Sequence, residues 1–125
     1  MALDQSMFID KFCIEATEVK SKIEAAMGAL QENPEKSDEA MVIKKSAHSL
    51  KGLSNMLKFT AVGGMMSALE AASEKFVTSG KPVSMDYMYV VMEVLGALDE
   101  SIDKIKGGQG NSLNWDHITD KLKQL

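Results

Sequence analysis

The chain has 125 residues, 45% hydrophobic and 26% charged, enough to bury one core and too few for several domains. With 2 prolines, 10 methionines, 4 phenylalanines, 2 tyrosines, 1 tryptophan and few β-branched runs, a multi-strand sandwich or barrel is hard to build and helices are favoured. The formal charge is -4, with 14 basic residues interleaved among 18 acidic ones, which excludes the basic tract that nucleic acid would need.

From Met7 to Leu30, Phe8, Phe12, Ile14, Val19, Ile23, Ala26, Met27 and Leu30 recur mostly at three- and four-residue intervals, predicting a long amphipathic helix. It stops at Asn33-Pro34. Ser37 is placed to cap a second helix running through His48 to about Lys58, with Asp38 and Glu39 in its first turn. Thr60 is the expected cap of a third helix reaching Thr78, and Ser79-Gly80-Lys81-Pro82 ends it. Ser84 can cap a fourth helix carrying Tyr87, Val91, Val94, Leu95, Leu98 and Ile102, with Gly107 suited to a left-handed end. Residues 107–113 read as a flexible glycine-rich spacer, and Trp115, Ile118, Leu122 and Leu125 form the stripe of a helix over 114–125.

Short connections imply antiparallel neighbours, so the expected fold is all-α: an up-down four-helix bundle over 1–106 with an additional docked C-terminal helix, all one domain. The longest apolar stretch, Tyr87 to Leu98, is broken by Glu93 and falls short of the roughly 20 residues that cross a bilayer, so it reads as a core helix and no membrane association is expected. Cys13 is alone and the amino terminus has no basic segment followed by an apolar one; the expected compartment is the cytoplasm.

The chemistry concentrates around His48. The core stripe of its helix is Ile43, Ala47, Leu50, Ser54 and Leu57, and His48 lies about 140° from the stripe's centre, facing solvent. Lys44, Lys51, Gly52 and Asn55 surround it, a locally basic patch suited to an anion. On the third helix Val62, Met65, Met66, Leu69 and Phe76 point inward, while Gly63, Ser67, Glu70 and Glu74 share one flank. Glu70 is thereby placed either to accept a hydrogen bond from the His48 Nδ1-H, leaving a nucleophilic lone pair on Nε2, or to form an ordinary ion pair with Lys51. A glycine inside a helix costs about 1 kcal/mol relative to alanine, so Gly52 calls for a reason.

Ala47-His48-Ser49-Leu50-Lys51-Gly52 resembles the H-x-x-K-G signature of histidine phosphotransfer (HPt) domains, and the flanking sequence is similar to the N-terminal phosphotransfer domain of CheA-type chemotaxis kinases over nearly the whole chain. The resemblance includes Phe8 to Leu30, Phe59, Leu69-Glu70, and Asn114-Trp115-Asp116-His117-Ile118 through Leu125. It implies that His48 accepts phosphate from an ATP-using kinase catalytic domain and passes it to an aspartate of a response-regulator receiver. Lys51 would then stabilise the phosphoryl group, Gly52 leave room beside the histidine, and Glu70 orient and activate it. Such a domain holds no cofactor and is no enzyme on its own, whether it stands alone or forms the front of a CheA-like kinase. Three positions depart from the pattern: Ser67 stands where a second histidine is usual, Leu53-Ser54-Asn55 replace smaller residues, and Lys58 replaces a glycine before the aromatic.

Other chemistries find little support. Cys13, His48 and His117 lack metal-ligand spacing, and Gly107-Gly108-Gln109-Gly110 lacks the strand and lysine of a phosphate-binding loop. His117 lies opposite the apolar stripe of its helix. Met65, Met66, Met85, Met88 and Met92 read mostly as core filler, with an adaptable binding surface as the alternative. A helical adaptor that docks signalling proteins without carrying phosphate is the second functional expectation.

Overall fold

Five α-helices follow the apolar periodicity in the computed structural model, which describes residues 5–125. They are α1 (Gln5–Glu32), α2 (Asp38–Met56), α3 (Thr60–Ser79), α4 (Met85–Lys106) and α5 (Asp116–Lys123), with a 3-10 turn at Gly110–Ser112. The described residues contain no strand, and no helix among them is long and apolar enough to cross a membrane. The reading of the extreme amino terminus lies outside the described residues.

The helix ends show which local signals prevailed. Asn33 Oδ1 accepts from the Glu35 N–H at 3.0 Å in the turn that stops α1. Ser84 caps α4 as expected, its hydroxyl accepting from the Tyr87 N–H at 3.1 Å. Ser37 stands at the cap position of α2 but has helical backbone angles and makes no side-chain cap bond, leaving Asp38 and Glu39 as the favourable charges of that turn. Thr60 is not a cap: Phe59 takes that position, its ring edge-on against Phe12 of α1 with centroids 5.1 Å apart. Here tertiary packing outweighs capping preference.

Gly107 is not the left-handed residue after α4. That role falls to Gly108, at φ 78°, which lets the Gln109 N–H reach back to the Lys104 carbonyl at 2.7 Å. The 107–113 segment, expected as a spacer, turns onto the body of the protein. A Cβ on Gly110 would stand 3.0 Å from Ile105 and 3.1 Å from Phe59.

One contiguous core joins all five helices, with Phe12, Ile23, Ile43, Leu50, Met65, Leu69, Tyr87, Leu98 and Leu122 fully or almost fully buried. α2 packs against α1 and α3, α4 against α1, and α5 across α3 and α4. Two buried polar pairs link separate elements: the Tyr87 and Ser73 hydroxyls are 2.7 Å apart, and Trp115 Nε1–H donates to Ser101 Oγ at 2.9 Å. Burial pushes the Tyr87 phenol up to about 12. Some inward assignments do not hold. Met65, Met66 and Met88 are buried, but Met85 and Met92 are exposed beside Tyr89, and Ile14 is exposed on α1. Gly63, expected on a polar flank, is buried, with the Asn55 side chain laid over its α-carbon.

The α2–α3 turn carries the one positive φ outside glycine among the described residues, Lys58 at 66°. Its side chain makes this left-handed conformation costly, by about 1 kcal/mol or more. The glycine expected there from the resemblance relieves that strain. Lys58→Gly should raise the urea-unfolding free energy by about 1 kcal/mol with an unchanged m-value; an equal or lower value would refute strain at this turn.

Candidate functional site

α2 and α3 run in opposite directions, which the paired side chains make plain: Lys44 meets Glu74, while His48 and Lys51 meet Glu70, one turn earlier in α3. His48, Lys44, Lys51, Gly52 and Asn55 share one outward face of α2, because offsets of three, four and seven residues return to the same side of a helix. The short connection 57–59 holds α3 alongside and brings Glu70 to that face.

Glu70 bridges two donors. Its Oε2 lies 2.7 Å from His48 Nδ1, and its Oε1 accepts from Lys51 Nζ at 2.6 Å. The Lys51 ammonium holds the carboxyl below the usual carboxylate range; partial burial opposes this, and the His48 hydrogen bond adds to it. An ionised carboxylate can only accept, so Nδ1 carries the proton. In the neutral ring the lone pair is then on Nε2; the His48 side chain is 67% exposed while Glu70 is only 20% exposed. The site presents an imidazole on an open helix face, not in a cleft.

Lys51 is therefore bound to Glu70 and not extended over the imidazole, so both arrangements foreseen for Glu70 occur together. Lys44 Nζ lies 2.6 Å from Glu74 Oε2, and Glu74 Oε1 also accepts from the Thr78 hydroxyl at 3.0 Å. Those two contacts lower the Glu74 carboxyl, the Lys44 bond first. On the other side of His48, the Ser49 hydroxyl donates to Glu15 of α1. A Cβ on Gly52 would meet nothing within 4 Å, so no internal contact demands glycine there. The helix-propensity cost of Gly52 leaves open space beside the imidazole.

Compared with protein families, the chain matches none of their models.

Asn55 packs on Gly63 and Ser67 is exposed on α3 in the groove toward α5, beside Gly64, Ala71 and Thr119; neither makes a hydrogen bond to His48 or Glu70 among the described residues. His117 is exposed, its ring 6.3 Å from Trp115, and it lines a groove between α4 and α5 rather than the α2–α3 face. Burial pushes the Cys13 thiol up, away from thiolate chemistry. Sequence reasoning placed Glu74 on the Glu70 flank but missed its pairing with Lys44. The available signal was that Glu74 follows Glu70 by four residues while Lys44 precedes His48 by four, matching steps on two opposed helices.

Glu70's depressed folded value fixes a pH signature. Its pairing stabilises the fold fully above the ordinary value of 4.5 and is lost as pH falls through the lower folded value. Wild type should exceed Glu70→Gln by about 1 kcal/mol in unfolding free energy at neutral pH, with the gap closing in acid. A gap independent of pH would show that the carboxylate charge contributes nothing.

Proposed function

We propose that this chain is a histidine phosphotransfer domain of the CheA type, an antiparallel up-down four-helix bundle with a fifth helix, in which His48 carries phosphate between a kinase domain and a response-regulator receiver. The observation that carries the reading is the His48 Nδ1 to Glu70 Oε2 contact of 2.7 Å behind an exposed Nε2. The bundle topology is supported by two sets of end contacts. The Val83 N–H donates to the Pro34 carbonyl at 3.0 Å, tying the α1–α2 and α3–α4 connections together, while Phe12, Phe59, Ile105 and Gly110 gather near the other end. The chemotaxis-type assignment rests on the resemblance alone, and the cytoplasmic compartment on the lone Cys13.

In the proposed reaction the Nε2 lone pair forms a bond to the γ-phosphorus of ATP, held by the partner kinase, as the bond from phosphorus to the ADP oxygen breaks. The Nδ1 proton stays in place, so the phosphorylated ring bears a positive charge that the Glu70 carboxylate offsets. Lys51, bonded to the other Glu70 oxygen, keeps that carboxylate ionised. Transfer to a receiver aspartate reverses the bonding at nitrogen: the carboxylate oxygen attacks phosphorus and the electron pair returns to Nε2. The open space over Gly52 suits the approach of either partner. An adaptor that only docks would have no use for a carboxylate behind the imidazole, which is why the phosphoacceptor reading is preferred.

Incubation with phosphoramidate should add one acid-labile phosphoryl group, seen by intact mass and phosphorus NMR, in wild type and His117→Gln but not in His48→Gln. Glu70→Ala should slow labelling about tenfold or more while leaving the helix content intact. A folded wild type that takes no phosphate would favour the adaptor.

A further inference from the structure

Three cations lie within one turn of His48 on α2, at Lys44, Lys45 and Lys51, and they are not equivalent. Lys51 serves Glu70, the carboxylate that orients the imidazole; withdrawing it would leave Glu70 with the ring alone. Lys45 is exposed on the flank of His48 toward Ser49, away from Glu70. Lys44 sits four residues before His48 on the Glu70 flank, its side chain 29% exposed, and its ammonium is held at 2.6 Å by Glu74. Glu74 makes no contact with the imidazole, and it keeps the Thr78 hydroxyl as a donor at 3.0 Å if Lys44 leaves. Releasing Lys44 therefore leaves the orientation of His48 and the Thr78 bond to Glu74 Oε1 in place, and costs only the contact at the buried Glu74 Oε2.

We propose that Lys44 is a phosphoryl-binding residue, parked on Glu74 in the unphosphorylated protein and exchanged onto the phosphoryl oxygens when His48 is modified. The inference rests on the phosphoacceptor reading of His48 and extends it. Before modification Lys44, Lys51, Glu70 and Glu74 balance in charge; a phosphoryl dianion on Nε2 breaks that balance on the Lys44 side. Residues four apart on a helix are neighbours, so a lysine stem one turn away spans the distance to a group on Nε2. The dianion outcompetes a single carboxylate for the ammonium because it carries more charge and three acceptor oxygens. No bond to Lys44 forms or breaks; the exchange is one of ionic partners.

The test is a phosphorus NMR titration of the full chain after labelling with phosphoramidate, in wild type, Lys44→Met, Lys45→Met and Glu74→Gln. A cation about 5 Å from the phosphoryl group in a water-like medium lowers its apparent pKa by about half a unit. Lys44→Met should raise the value by that amount, Lys45→Met should move it clearly less, and Glu74→Gln should lower it by more when Lys44 is present than in the Lys44→Met background. Equal shifts in Lys44→Met and Lys45→Met, or none in Lys44→Met, would overturn the role of Lys44 while leaving His48 as the acceptor. A wild type that takes no label at His48 would overturn both readings.

Discussion

Glu70 is the point on which the site turns, because one carboxylate reaches two side chains of the neighbouring helix at 2.7 and 2.6 Å. That geometry requires α2 and α3 to be held in one register, and several features combine to hold it. Phe59 is drawn onto Phe12, Asn55 lies across the bare α-carbon of Gly63, and Leu50, Met65 and Leu69 fill the buried side. A slip of one residue along α3 would rotate Glu70 by about 100° and remove it from the imidazole. The apolar interface is thus what allows polar chemistry on the opposite face.

The same interface explains the strain at Lys58. A turn confined to residues 57–59 must reverse the chain quickly, and a left-handed residue achieves this while the Phe59 N–H reaches the Ser54 carbonyl at 2.8 Å. Ser54 itself is completely buried, with its hydroxyl unpartnered. Strain and an orphaned hydroxyl occur within five residues of one another, beside the turn that sets the helix pair. The local cost is offset by the register that the turn imposes.

Much of this was legible in the sequence, since periodicity is a direct imprint of burial. All five helices and the His48 face followed from three- and four-residue spacing, and Ser84 followed from its cap chemistry. What the sequence concealed depends on contacts between elements. Thr60 looks like a cap until Phe59 is seen against Phe12; Gly107 and Gly108 are indistinguishable until the chain direction after α4 is known. Met85 and Met92 share the spacing of core residues, and only the placement of α4 against α1 and α5 leaves them outside. At the site, His48, Lys51 and Glu70 were legible through a motif and a helical wheel. The division of labour between Lys44 and Lys51 was not, because it depends on which carboxylate each ammonium finds.

Trp115 gives the terminal helix an optical label. It is the sole tryptophan of the chain, 9% exposed, and its indole proton is bound to Ser101 of α4. Its fluorescence therefore reports the seating of α5 specifically, while circular dichroism is dominated by the longer helices. Detachment of the tail would move the emission to longer wavelength before ellipticity falls, so the two spectra together distinguish a local opening from global unfolding.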